Sequence, residues 1–161
     1  MQTNTTLSVF SAVLLAAGLA LPAGETAAQS AKSVAGTYSP VSVPAFGDSP
    51  RGLLILTADG HYSIVLARAT MAKIASGART KSTPDENKAV VEGSIAHAGK
   101  YTIDDKGKAI SFIVATSTFP NWDGTTQKRA LKVKGDTLTY TVTAPSDGGK
   151  PNDVVWKRVK K

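Results

Sequence analysis

Three tight turns, Asp59-Gly60, Lys106-Gly107 and Gly135-Asp136, each join two stretches in which apolar and polar residues alternate. Strand side chains alternate faces, and Gly with Asp supplies the backbone conformations that short hairpin turns need, so each pair reads as a hairpin. The strands are expected at residues 36–43, 52–57, 62–68, 100–104, 109–116, 126–134, 137–143 and 154–159. In an antiparallel succession the connections alternate between the two ends of the sheet. Those after strands 2, 4 and 6 are the tight turns, and those after 1, 3, 5 and 7 are long. One end is thereby tied shut while the other carries every elaborate loop. The expected fold is all-β: an eight-stranded antiparallel up-and-down barrel with one short helix between strands 3 and 4. Eight closed strands enclose an interior that either fills with side chains or holds one small ligand, and the loop asymmetry favours an open mouth.

The helix follows from Thr83-Pro84-Asp85-Glu86, a capping box with proline at the first helical position, and is expected over residues 84–96. Residues 31–33 read as a linker. Ahead of them, residues 7–21 form an apolar run too short to span a bilayer and of the length of a signal-peptide core. Small residues follow, with Thr26-Ala27-Ala28 the best cleavage site, so residues 1–28 are expected to be a signal peptide and 29–161 the barrel domain, periplasmic or secreted. An uncleaved anchor is the alternative. The chain has no cysteine, hence no lipid-attachment site and no disulfide, and no stable membrane insertion is expected after cleavage.

The chain carries a formal net charge of +7, and removal of residues 1–28, which hold Glu25 and no Lys or Arg, raises it to +8. The basic residues lie singly along strands and in the tail, without the basic helix or interleaved aromatics of nucleic-acid modules, so nucleic acid is not an expected partner. Two distant histidines and no cysteine make no usual zinc site, and neither a phosphate-binding glycine loop nor a nucleophile elbow is present. No metal, cofactor or catalytic residue is assigned.

Residues 119–134 carry the most chemistry. Lys128, Lys132 and Lys134 share one strand face, which belongs in water and turns Leu131 and Val133 inward together with Gln127 and Arg129. A guanidinium on the apolar side of a strand is costly to bury unless hydrogen-bonded or paired, so either a protein group or a ligand should meet it. Arg68, at the end of strand 3, is expected at the same mouth, with Asn121 and Trp122 in the loop above. These groups could hold an anionic head while Tyr62, Leu66, Phe112 and Tyr140 hold an apolar tail. The competing reading pairs the arginines with Asp48, Asp85, Glu86 or Asp123. Tyr38 and Arg158 are both expected at the closed end, His61 in an exposed turn, and His97 near the helix terminus in a capping or packing role.

Nearly all of residues 29–161 resembles the bacterial and fungal lipocalin-like domain family. The resemblance rests on Gly36-Thr37-Tyr38, residues 50–63, Leu66 to Arg68 and residues 95–104. Its most specific pieces are Phe119-Pro120-Asn121-Trp122 with Gly124, Gln127 and Arg129, and the closing Val155-Trp156-Lys157-Arg158-Val159. It implies a barrel enclosing a small, largely apolar molecule, with some relatives suspected of guiding cyclisation or isomerisation, and a structural plug of Arg158 stacked on Tyr38. This chain departs from the family pattern in carrying Tyr38 for the usual Trp, His97 for an aromatic, and Phe112-Ile113 where many relatives have a His pair. The leading expectation is an exported binder or carrier of a small amphipathic, anionic molecule. A cofactor-free isomerase or cyclase and a structural envelope protein with a filled barrel are the alternatives.

Overall fold

The computed structural model describes residues 30–160. Eight strands run β1 Gly36–Ser42, β2 Arg51–Leu56, β3 His61–Ala67, β4 Ser94–Ile103, β5 Ala109–Ser117, β6 Thr126–Lys134, β7 Thr137–Val142 and β8 Asn152–Arg158. Each pairs antiparallel with the next, and β8 returns to β1, closing an up-and-down barrel. Alternation builds its interior. On β3, Tyr62, Ile64 and Leu66 are buried between exposed or half-buried neighbours, and on β6 Arg129 and Leu131 are buried while Lys128, Lys132 and Lys134 are exposed. Among the described residues no helix is long and apolar enough to cross a membrane.

The closed end is filled. Trp156, Tyr38, Leu54, Ile110 and Leu138 are fully buried there or just above, and a core aromatic truncated to Ala typically costs about 3–5 kcal/mol. Residues 31–33 are not a linker: Ala31–Val34 forms a one-turn helix, α1, whose capping box pairs Ser30 with Ser33. Its buried Val34 seals the floor, and its carbonyls receive the tyrosine hydroxyls that would otherwise be stranded. Tyr38 donates to the Val34 carbonyl at 2.6 Å, and the Tyr101 hydroxyl meets the carbonyls of Ala31 at 3.0 Å and Thr57 at 2.7 Å. The Arg158 guanidinium lies 4.7 Å from the Tyr38 ring centroid and donates to the Ala35 carbonyl at 2.6 Å.

At the other end the helix is shorter and the following strand longer than the sequence suggests. Helix α2 spans Pro84–Gly93, capped by Thr83 and Glu86, and chain pairing takes over at Ser94. The Ala-rich stretch after Gly93 is compatible with helix, but β3 needs a partner along its whole length, and Ser94 to Lys100 supplies it in the register Leu66↔Ile95, Ile64↔His97 and His61↔Lys100. A bulge between Ala98 and Gly99 follows in the pairing with β5. An alanine Cβ at Gly99 would sit 2.1 Å from the Ile113 carbonyl oxygen, so glycine is needed for this close approach. The barrel wall is uneven on one side: β6 meets β5 along Thr126–Ala130 but meets β7 only from Leu131↔Tyr140 to Lys134↔Thr137.

Candidate functional site

Strand β6 carries Arg129 into the lumen, where it is 5% exposed. Its guanidinium carbon stands 4.8 Å from the Tyr140 ring centroid and 5.2 Å from that of Phe112, and Nη2 donates to Gln127 Oε1 at 2.5 Å. None of the ion pairs among the described residues involves Arg129, so no carboxylate neutralises it there. The register Phe112↔Gln127 and Ile110↔Arg129 sets the amide and the guanidinium in line along the wall, and the other end of that amide, Gln127 Nε2, is buried with no hydrogen-bond partner.

His97 faces the same space from β4. It is 5% exposed, and its Nδ1 lies 2.9 Å from the Tyr62 hydroxyl. Burial, reinforced by the positive charge of Arg129, pushes the imidazole pKa down to about 3, and burial pushes the Tyr62 phenol up. Both groups are therefore neutral near pH 7. In the tautomer in which Tyr62 donates to Nδ1, the ring hydrogen sits on Nε2 and is free to donate. An aromatic lattice fixes this arrangement: Tyr62 and Phe112 centroids are 4.7 Å apart, His97 and Trp122 are 5.4 Å apart, and Phe119 braces Trp122 at 5.6 Å. The Tyr140 phenol, fully buried, is also held above its ordinary pKa, with Arg129 opposing that shift.

Above these groups lies a small cup of about 60 Å³, open at the mouth. Leu66, Ile95, Val142 and Val154 are among its apolar lining, His97, Trp122, Arg129 and Tyr140 face it, and Asp147 and Asn152 also line it. The barrel is thus filled below and hollow above. Among the described residues no group of three or more His, Cys, Asp or Glu could hold a metal ion.

The sequence-predicted residues divide cleanly. Arg129, Trp122, Leu66 and Tyr140 line the cup; Tyr62 and Phe112 lie beneath it and support His97 and Arg129; Gln127 lies beside it in the wall. Arg68 does not join them. Strand β3 ends at Ala67, and Arg68 is exposed, its N–H donating to the Gly93 carbonyl at 2.9 Å and its side chain lining a separate pocket with Met71 and Glu86. Asn121, in the 3-10 turn Pro120–Trp122, is exposed and lines neither the cup nor the wall opening. Of the proposed carboxylate partners, Glu86 accepts instead from the backbone N–H groups of Ala75 and Thr83, both at 2.7 Å. His97 was placed at a helix end by sequence reasoning; the two-residue spacing of Ile95 and His97, continued by Tyr101 and Ile103 after the bulge, was the signal for a lumen-facing strand.

The lipocalin-like domain family model matches residues 30–159. A relative, the 4'-hydroxy-3'-methoxypropiophenone carrier protein ppsC of Aspergillus oryzae, is 33% identical over 69 residues. That alignment covers 39% of this chain and 62% of the relative, so the chain spans under two-thirds of the length of the curated relative it matches.

Proposed function

Because the chain belongs to the lipocalin-like domain family, we propose that it binds or carries a small amphipathic molecule whose anionic or strongly hydrogen-bond-accepting end meets Arg129. The observation that carries this reading is a guanidinium 5% exposed with one amide oxygen and two ring faces for company. A guanidinium has five N–H donors, and ring faces, worth about 0.5–2 kcal/mol, satisfy none of them as a hydrogen bond does. Its neighbours point the same way: Gln127 Nε2 and the imidazole N–H are donors too. Such a set suits a carboxylate, a phenolate or a carbonyl oxygen over an apolar body. The fungal relative is named as a carrier of 4'-hydroxy-3'-methoxypropiophenone, an aryl ketone with one phenol and one methoxy group, whose carbonyl oxygen is an acceptor of this kind. Mass spectrometry of small molecules extracted from natively purified protein tests the reading. An amphipathic acid or ketone enriched with the wild type and absent from Arg129→Met supports it; identical extracts from the two proteins contradict it.

The Tyr62–His97 pair favours a second reading, a cofactor-free isomerase or cyclase, in which the neutral imidazole N–H donates to a substrate oxygen at the cup; a pKa held near 3 makes the ring a weak base, so its part is to polarise that oxygen. Incubating the extracted molecule with protein in heavy water separates the two: deuterium incorporation with wild type and none with His97→Gln marks catalysis, and equal incorporation in both excludes this role for His97.

Export belongs to the same proposal. The apolar run at residues 7–21 and the small residues up to Ala28 lie outside the described residues and support a cleaved signal peptide. Intact-mass measurement on protein from the extracytoplasmic fraction should find the chain beginning near Gln29. Full-length protein confined to the cytosol contradicts export.

A further inference from the structure

The barrel wall is open beside Arg129. Residues Thr126 to Ala130 of β6 have β5 on one side and no strand register on the other, because pairing with β7 begins only at Leu131↔Tyr140. A cleft of about 330 Å³, open to solvent, occupies the gap. Trp122, Arg129 and Val142 line both this cleft and the axial cup, so the two spaces adjoin with Arg129 at the elbow. Their chemistry differs. The cup's wall is mostly apolar, whereas Thr126, Gln127, Lys128 and Thr143 line the lateral cleft.

Charge separates the two exits further. The cup's rim carries Asp147, while the lateral exit carries Lys128 beside Arg129 and no acid among its lining residues. On the lateral side Lys128 adds a second cation for an anion seated at Arg129. Gln127 lines the lateral cleft and not the cup, and its Nε2, buried in the wall, is a donor without a partner.

We propose that the gap between β6 and β7 is a binding subsite: the apolar body of the ligand fills the axial cup, and its acidic group turns through the wall between Gln127 and Arg129. This rests on the binding reading above and narrows the ligand class to a compact, ring-like body with one carboxylate, sulfonate or similar acid at its side.

The chain has no cysteine, so Thr143→Cys, at an exposed position lining the cleft, introduces a single thiol. Two fluorescent probes of one framework are titrated, anilinonaphthalene sulfonate and its uncharged parent phenylnaphthylamine, before and after the thiol is capped with phenylmaleimide. Capping is expected to weaken the sulfonate about tenfold or more, the scale of a charge-assisted contact, and to leave the parent within about twofold. Equal weakening of both probes, or an unchanged sulfonate, overturns the subsite while leaving the cup as binding site. Failure of both probes to bind the uncapped variant, when it melts as wild type does, removes the binding reading and the subsite with it.

Discussion

His97 is the side chain whose burial has the most direct consequence in solution. Its folded pKa of about 3 lies well below the ordinary imidazole value of about 6.5, so on acidification the unfolded chain takes up a proton that the folded chain refuses. Stability should therefore fall as pH drops below about 6.5, by about 2 kcal/mol between pH 7 and pH 5. The lowered carboxylates Asp59, Glu86 and Asp104 add losses of the same sign, but only as pH falls to about 4 and below. Denaturant melts at both pH values should find a drop in wild type that His97→Gln largely abolishes; equal drops in the two proteins would mean that the imidazole is not held neutral. This residue was hard to read from sequence because Ser94-Ile95-Ala96-His97-Ala98 follows a strong helix start and is itself compatible with helix. Arg129 was legible for the opposite reason. Three lysines on alternate positions fix which face of β6 meets water, and the fold follows that pattern. Arg68 misled because its alternation with Leu66 holds only inside a strand, and β3 ends one residue earlier.

Among the elements, the floor plug is the clearest separation of stability from binding. Arg158 and Tyr38 are register partners on β8 and β1, and the guanidinium gathers the Tyr38 ring and the Ala35 carbonyl over the floor. Arg158→Ala should lower stability by about 0.5–2 kcal/mol without weakening ligand binding at the mouth. Thermal melts beside probe titrations check this; a loss of affinity with unchanged melting would place the residue in the binding site instead. The strands and their order were legible because turn chemistry is local: Gly60, Gly107 and Gly135 all adopt positive φ where tight turns were expected. Helix α1 was not, since a single turn depends on the floor it covers, and Val34 has no periodic partner to announce it. The β6–β7 gap was equally hidden, because alternation continues through residues that have lost their neighbour on one side.

At the scale of the molecule, two halves of one barrel do different work. Aromatic and aliphatic packing fills the lower half and supplies stability, whereas the upper half holds a small open cup of about 60 Å³ beside a cation that no described carboxylate neutralises. Such a charge is a cost to the free fold and a gain for a bound anion. The most direct measurement is therefore a titration of wild type, Arg129→Met and Lys132→Met with anilinonaphthalene sulfonate, run beside thermal melts of all three. Arg129→Met should lose about 1.5–3 kcal/mol of affinity, the scale of a charged hydrogen bond, while melting at or above the wild-type temperature, and Lys132→Met should bind as wild type. Unchanged affinity together with a large fall in melting temperature for Arg129→Met would contradict the ligand role and leave this arginine a purely structural one.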